Sequence, residues 1–337
     1  LKFGMGLVIN NDYSFGKLAT LQTLGRSTNS IREHSSRSEA NYMQGTAATV
    51  SISKGLDITG FISYRDIDAT PNKDSLSTIA TITGNGYHRT VSEMARKHNT
   101  SIFAGGGNIR YFNNGFHIGM SAIYSSLNRE LRPDTARIYK RWSAYGKRFW
   151  NAGVDYGYIC GKFSFNGETA TGDSHAVATI NSLSYKLLGN LQIMALQRFY
   201  AYRYYGMYAN SFSDAGSIQD ESGIYLGINW NISRHTTVMM YTDYAYFAWP
   251  KYMQSFPETH SWDNMIQLVY NKKQFSILAR YRLKIKQRDN ASKTALDNVN
   301  EHRGRFQVGY VIGNIQSRSQ ADIVYSQQQT GSLGYML

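Results

Sequence analysis

The chain has 337 residues and a formal net charge of +13, from 36 Lys and Arg residues against 23 Asp and Glu residues. Aromatic residues make up 14% of the chain and proline occupies only 4 positions, a composition that favours β-strands, because proline breaks the hydrogen-bond ladder of a sheet. No segment approaches the roughly 20 apolar residues that a membrane-spanning helix needs, which excludes a helical membrane protein.

Strand-like segments follow one another along the chain in pairs, and each pair is joined by a very short turn. The short turns fall at residues 53–55, 113–115, 160–161, 188–190, 233–235, 271–273 and 313–314. Longer connections lie near residues 67–99, 128–145, 200–221, 246–262 and 286–302, and they contain the four prolines Pro71, Pro133, Pro250 and Pro257. One connection, near 172–175, is short where a long one is expected. Short turns at one end and long loops at the other are typical of outer-membrane β-barrels.

The strand-like segments alternate between apolar and other residues. In residues 223–232 every even position is large and apolar, and every odd position is Gly, Tyr or Asn. A period of two sustained over this length indicates a strand and not a helix. Aromatic residues on the apolar stripes would form belts at the two membrane interfaces. These residues are Tyr64, Tyr124, Trp150, Tyr156, Tyr158, Trp230, Tyr244, Tyr246, Tyr270, Tyr281 and Tyr310.

These patterns predict an all-β fold, an antiparallel transmembrane β-barrel in the bacterial outer membrane, with roughly 15 strands in a single domain over residues 1–337. Short turns would be periplasmic and long loops extracellular. A soluble β-sandwich is disfavoured, because its strands are typically shorter and its turns do not alternate in length. A strand-like pattern begins directly at Leu1, and residues 332–337 resemble the start of another strand. We therefore expect the barrel to be incomplete at both ends.

Six basic residues lie opposite apolar stripes near the end of the chain and are called the basic ladder: Arg280, Arg282, Lys284, Lys286, Arg305 and Arg318. If the stripes face lipid, the ladder faces the lumen, because Lys or Arg on the lipid side costs about 2–4 kcal/mol at the bilayer midplane. Two interpretations stay open. The ladder forms an anion-attracting pore wall, or it belongs to a charge network with Asp155, Glu168 or Asp322.

A second basic set lies in the connection near residues 128–148, where basic and aromatic residues are interleaved. The members that we single out are Arg137, Lys140, Arg141, Trp142 and Tyr145, called the loop patch. Such a set can bind lipid phosphates, sugars or nucleic acid, or it is an ordinary solvated loop. The tyrosine-rich segment 200–208 is either a binding patch or a loop folded into the barrel, and we favour packing.

Residues that carry enzymatic chemistry do not form a recognisable motif. The single cysteine, Cys160, excludes an internal disulfide framework and a cysteine-based zinc site. The histidines lack His-x-x-x-His spacing, so we expect no metal ion and no other cofactor. Without a hydrolase motif we expect no enzyme and no catalytic residues.

A resemblance to a known family is carried by residues 3–7, 15–17, 29–32, 38–47, 86–90 with Glu93, 208–213, 223–227 and 247–252. These segments resemble the outer-membrane barrel regions of helix-hairpin-helix-domain-containing proteins of Bacteroidota. The resemblance covers most of the chain in order and implies a membrane barrel. The helix-hairpin-helix part, which binds DNA backbone in other proteins, is absent from this sequence.

The sequence leaves several functions open. We expect a channel or porin-like pore for polar or anionic solutes with a basic lumen. One alternative is a non-conducting envelope component whose long extracellular loops bind other proteins or glycans. Another is a protein that handles DNA at the envelope. The expected partners are outer-membrane lipid and lipopolysaccharide, together with other envelope proteins, and a nucleic-acid partner stays open.

Overall fold

The computed structural model describes residues 1–10, 16–23, 25, 27–33, 42–73, 77–84, 87–327 and 331–336. Among the positions that carry the family resemblance, Phe15, residues 38–41 and Gly86 lie outside the described residues. Neither of the described helices nor the 3-10 turn is long and apolar enough to cross a membrane.

Strands make up most of the described chain. Two short strands, β1 (Lys2–Phe3) and β2 (Ile9–Asn10), come first and are followed by helix α1 (Lys17–Thr23). The long strands then follow: β3 (Gly45–Ser53), β4 (Leu56–Ile67), β7 (Thr100–Asn113), β8 (Phe116–Leu131), β9 (Gly146–Cys160), β10 (Phe163–Gly172), β11 (Ala178–Leu188), β12 (Leu191–Tyr200), β13 (Glu221–Asn231), β14 (Thr236–Phe247), β15 (Thr259–Lys272), β16 (Phe275–Asp289), β17 (Leu296–Ile312), β18 (Ile315–Gln327) and β19 (Gly331–Met336). The connection between β4 and β7 contains β5 (Ala69–Pro71), β6 (Thr78–Ile82) and α2 (Val91–Met94), and the one after β8 contains the 3-10 turn η1 (Ile138–Lys140).

The long strands form one antiparallel sheet in chain order. Each pairs with the next, and β4 pairs directly with β7 because β5 and β6 form a separate hairpin in the long connection. In the order of the sheet β19 is followed by β3, so the strands run round a barrel. The predicted all-β antiparallel barrel fold is therefore confirmed.

The predicted distribution of turns is largely confirmed. Every predicted short turn joins two long strands, including the tight turns at Gly55, Gly115, Gly161 and Gly313, where a positive φ favours glycine. The prediction for residues 286–302 is wrong: β16 continues to Asp289 and β17 starts at Leu296, because the alternation continues through these polar residues. Lys286 is thus a strand residue.

Two further boundaries differ from the predicted ones. β8 extends to Leu131 and β9 starts at Gly146, so the ends of the basic segment 128–148 belong to strands. Pro71 is the last residue of the short strand β5, whereas it was expected in a loop. A proline is tolerated there, since the strand is short and ends at this residue.

The two faces of the sheet differ in exposure. In β8 the outward side chains of Met120 and Tyr124 are exposed, whereas the inward side chains of His117, Ser121 and Ser125 are buried. The same alternation runs through β13, where Ile224 is 57% exposed and Tyr225 is fully buried. The outer surface is therefore broadly apolar, and the inner surface is polar and covered.

The residues predicted for the aromatic belts point outward, and most of them lie near one end of a strand or the other, whereas Tyr281 lies in the middle of β16. Tyr64, Trp150 and Tyr244 are exposed near the strand ends that carry long loops. Tyr158, Trp230 and Tyr310 are exposed near the short turns. Aromatic side chains at two levels are the arrangement found at the interfaces of membrane barrels.

The first ten residues do not form a barrel strand, although the sequence pattern predicts one. The β1–β2 hairpin lies inside the barrel, and Phe3, Met5, Leu7, Val8 and Ile9 are at most 2% exposed. Their apolar side chains join the hydrophobic core of the lumen. Burial on all sides explains the difference, since a barrel strand would expose every second residue to lipid.

Candidate functional site

The lumen contains a plug, defined here as residues 1–10, 16–23 and 201–220. Leu21 of α1 and Tyr204 and Phe212 of the loop after β12 are buried in the same core cluster as the first residues. The loop is held to the hairpin by two hydrogen bonds, from Tyr204 Oη to the carbonyl of Leu7 (2.8 Å) and from Ser211 Oγ to the carbonyl of Met5 (2.8 Å). The tyrosine-rich segment is thus folded into the barrel, as we favoured from the sequence.

One carboxylate of the barrel wall binds the backbone of the plug. Glu168 on β10 accepts hydrogen bonds from the backbone N–H groups of Met5 (2.6 Å), Leu7 (3.1 Å) and Val8 (3.3 Å). Gly4 and Gly6 have φ angles of +63° and +91°, which turn successive N–H groups toward one point. Sequence alternation identified Glu168 as a lumen residue, but not as the residue that binds the plug.

A cluster of charged groups lies under helix α1. Lys17 Nζ lies 2.5 Å from Asp214, 2.8 Å from Asp243 and 2.6 Å from Asp263. Burial disfavours the charged ammonium, but the three carboxylates outweigh this effect and raise the pKa of Lys17 above its usual value. Lys17 therefore stays charged and joins the helix to β14, β15 and the loop.

The cluster continues onto the barrel wall through arginine. The fully buried Arg198 on β12 donates to Glu221 (2.5 Å) and to Asp243 (2.7 Å). Burial opposes ionisation of Asp214, but Lys17 and Lys284 outweigh it and hold the pKa of Asp214 below its usual range. Paired, hydrogen-bonded charges of this kind are costly to disrupt, because removing one partner leaves the other buried and unpaired.

Two members of the basic ladder belong to this cluster. Arg282 donates to both oxygens of Asp263 (2.7 and 2.6 Å), and Lys284 donates to Asp214 (2.8 Å). These contacts favour the charge-network interpretation for Arg282 and Lys284. Their carboxylate partners are not those considered from the sequence.

The other ladder residues lie on a more open part of the wall. Arg305 donates to both oxygens of Asp322 (2.7 and 3.0 Å), so one of the three carboxylates considered from the sequence does pair with the ladder. Asp155 and Glu168 were the other two, and the interpretation is wrong for them, since they lie on β9 and β10 next to the plug. Arg280 donates to the neutral Gln267 (2.7 Å), and Lys286 is half-buried.

The lumen therefore has two unequal sides. Inward side chains of β9 to β13, such as Asn151, Ser182 and Tyr225, are buried by the plug. On β16 to β18 and β3 the inward side chains other than the buried Val299 are half-buried or exposed, including Arg318 and Thr49. We call this part the basic wall: Arg280, Lys286, Arg303, Arg305 and Arg318. Arg303, which the sequence reasoning missed, lies opposite Arg282 in the strand register, and alternation along β17 would have found it.

The loop patch lies at the end of the barrel that carries the long loops. Arg137 is exposed and donates to Asp134 (3.0 Å) and to Tyr139 Oη (3.2 Å). Arg141 and Tyr145 are exposed, whereas Lys140 and Trp142 are half-buried. The structure thus brings the five residues to one end of the barrel.

Metal-binding geometry is absent from the part of the chain that the structure describes, where no group of three or more His, Cys, Asp or Glu side chains could hold a metal ion. The free Cys160 is exposed in a short turn.

Comparisons with known proteins give little further information. No family model matches the sequence, and no curated protein matches it. The FrpB iron transporter from Neisseria meningitidis, F3-3 variant, is similar in structure, with 10% sequence identity and a TM-score of 0.38. The match covers 84% of this chain and 59% of the transporter chain. The resemblance to the Bacteroidota family stays a prediction.

Proposed function

We propose that this chain is an outer-membrane β-barrel that is closed to bulk flow by its own plug and conducts small anionic solutes along the basic wall. The observation that carries the proposal is the unequal lumen. Inward side chains are buried by the plug along β9 to β13, whereas along β16 to β18 most of them are half-buried or exposed.

The exterior of the barrel supports the location in a membrane. Large apolar side chains such as Ile62, Leu226 and Phe306 are at least half exposed on the outward face. An apolar surface that runs round a whole barrel is far larger than the patches that soluble monomers expose. A surrounding lipid bilayer would cover this surface, and the aromatic residues at both ends would lie at the membrane–water interfaces.

The chemistry of the basic wall supports an anionic solute. Arg303 and Arg318 are exposed, and their guanidinium groups carry a charge at every physiological pH. Rings and rows of Arg and Lys select anions in pores. The carboxylates Glu301 and Asp322 offset part of this charge, so we expect a moderate preference for anions.

The test is the conductance of the purified protein in a planar bilayer under a salt gradient. We expect small, stable steps with an anion-selective reversal potential. The double variant Arg280→Ser/Arg303→Ser should move this potential toward the cation side, because two wall charges are lost. Arg234→Ser, which removes an exposed charge from a short turn, is the matched control and should leave it unchanged.

Two results would contradict the anion conduit. One is silence from a folded, heat-modifiable barrel, and the other is a reversal potential that the double variant does not alter. Either would favour the second candidate function, a non-conducting envelope component that binds partners through its long loops. Exposed apolar residues at the loop end, among them Ile138, Tyr252 and Met253, favour this candidate.

A further inference from the structure

Aromatic side chains from three different loops meet at the long-loop end of the barrel. Trp142 comes from the connection after β8, Tyr202 from the loop after β12 and Trp249 from the loop after β14. Their ring centroids lie 5.4 to 5.8 Å apart, and the rings of Tyr202 and Trp249 are stacked at 21°. Because three separate connections contribute, the cluster joins these loops to one another and is not a contact within one loop.

The cluster extends to a surface of exposed residues. Trp249 Nε1 donates to the carbonyl of Ile138 (2.8 Å), and the ring of Tyr139 lies 5.6 Å from that of Tyr252. Tyr252 is 72% exposed, an unusual state for a large aromatic side chain in a polar loop. We call Trp142, Tyr202, Trp249, Tyr139 and Tyr252 the aromatic platform.

Cationic groups border the platform. The guanidinium of Arg203 lies 4.3 Å from the centroid of the Trp142 ring, and that of Arg141 lies 6.0 Å from it. Among the described residues no carboxylate forms an ion pair with Arg141, Arg203 or Lys140. Stacked arginines keep their N–H donors free at the ring edge, where they can bind a carboxylate or phosphate.

A hydrogen-bond donor inside the platform has no acceptor. Trp142 Nε1 is buried and lacks a hydrogen-bond partner among the described residues, although indole N–H groups usually find one when buried. This N–H is closed to solvent, so the groups that can contact a ligand are the exposed ring face of Tyr252 and the exposed cations of Arg141 and Arg203. They suit a ligand that has apolar C–H faces and acidic oxygens.

We propose that the aromatic platform binds an acidic saccharide, a chain of sugar rings that carry carboxylate or phosphate groups. The C–H face of a sugar ring would pack on Tyr252, and its acidic group would bind Arg141 and Arg203. The inference rests on the proposed function only in placing these loops on the cell surface, where acidic polysaccharides are accessible.

The test is a titration of the purified full chain in detergent, read by tryptophan fluorescence and calorimetry. The probes are trigalacturonic acid, the neutral maltotriose and inorganic phosphate. We expect saturable binding of the acidic trisaccharide, and binding of maltotriose that is weaker by about tenfold or more, a difference of about 1.4 kcal/mol. Phosphate alone should bind no more tightly than maltotriose.

Variants distinguish binding at the aromatic platform from attraction by the positive charge of the whole protein. Arg141→Gln/Arg203→Gln and, separately, Tyr252→Ala should each weaken binding of the acidic trisaccharide by about tenfold. Arg234→Gln at the opposite end is the control and should bind normally. The changed side chains are exposed, and heat-modifiability confirms that each variant is folded.

The outcomes are distinguishable from those of the conductance experiment, because binding is measured without a bilayer. Failure of trigalacturonic acid to bind, equal binding of phosphate, or an unchanged affinity in the arginine variant would overturn the acidic-saccharide site. A barrel that conducts no anions but binds the acidic trisaccharide through Arg141 and Arg203 would contradict the proposed anion conduction and still support the acidic-saccharide site.

Discussion

Glu168 and Met5 are 163 residues apart in the chain, and the backbone N–H of Met5 donates a hydrogen bond of 2.6 Å to Glu168 Oε2 inside the barrel. Two further N–H groups bind the same carboxylate. A single side chain of the wall thus compensates for three backbone donors that the interior would otherwise leave without partners. It is the contact through which β10 holds the plug.

Glu168→Gln should loosen the first ten residues. The new amide retains one acceptor oxygen but turns an NH2 group toward backbone donors, so we expect a cost of about 2–4 kcal/mol to plug docking. Faster hydrogen exchange of Met5, Leu7 and Val8 is the measurement. Glu258→Gln in an exposed loop is the control. Unchanged exchange at these three amides would show that the plug does not depend on Glu168.

Lys17→Met should release helix α1. Three carboxylates, Asp214, Asp243 and Asp263, would lose their common cation, and breaking a buried ion pair on one side costs about 3–5 kcal/mol. We expect larger conductance steps and protease cleavage within residues 16–23. Lys162→Met, an exposed site in a short turn, should have neither effect. Adding Asp214→Asn to Lys17→Met should restore part of the lost stability of α1 in the lumen.

The loop after β14 should become more stable as the pH falls from 7 to 5. Asp220 accepts hydrogen bonds from the N–H groups of Ala248 and Trp249, while its second oxygen is buried and has no partner among the residues that the structure describes. Burial raises the pKa of Asp220 to about 6 from 3.8, against the attraction of Lys251, so the folded loop favours the protonated acid. The free-energy penalty of burying the ionised carboxylate is complete above pH 6, and it disappears as the pH falls toward 3.8.

Hydrogen exchange of residues 248–258 between pH 4 and 8 measures this effect, after correction for the intrinsic exchange rate. Two pKa units correspond to at most about 3 kcal/mol. Asp220→Asn should remove the pH dependence, whereas Asp134→Asn in an exposed loop should retain it. Protection that rises with pH in the unmodified protein would contradict the assignment to Asp220.

Leu226→Lys should destabilise the barrel in lipid. Leu226 is 50% exposed on the outward face in the middle of β13, where a charge would lie near the bilayer midplane and cost about 2–4 kcal/mol. Ile232→Lys, just beyond the end of the same strand, should cost about 0–1 kcal/mol. Denaturant unfolding in vesicles gives both values. Equal effects at the two positions would argue against a membrane-spanning β13.

The wall of the barrel could be predicted from the sequence because its information is local. Alternation in segments such as 116–125 fixes which side chains face outward, and Gly and Asn mark the tight turns. The loop predicted near 286–302 is wrong for the same reason. Strand residues there are charged on the inward face, and their local composition resembles that of a polar loop.

The plug and the split of the basic ladder could not be predicted in this way. Residues 1–10 are as apolar as a strand, and only contacts with β10 and the loop after β12 place them in the lumen. Arg282 and Arg280 are equivalent in the alternation, yet one binds Asp263 and the other faces Gln267. Asp263 and Gln267 both lie on the neighbouring strand β15, and Asp214, which binds Lys284, lies in the plug. Contacts with other segments therefore decide which members are neutralised, and no local pattern encodes them.

The separation in sequence between the plug and its anchors has a consequence for how the protein folds. Residues 1–23 precede the strands in the chain, so Met5 must wait for Glu168, and Lys17 for Asp263, 246 residues later. Such non-local pairings form slowly, because the entropy of closing long loops is lost before the contacts are gained. Until then the apolar hairpin and the outward faces of the strands are exposed together, and the chain is most prone to aggregate. The order of the chain, with the plug before the strands that hold it, therefore makes closure of the barrel the step on which solubility depends.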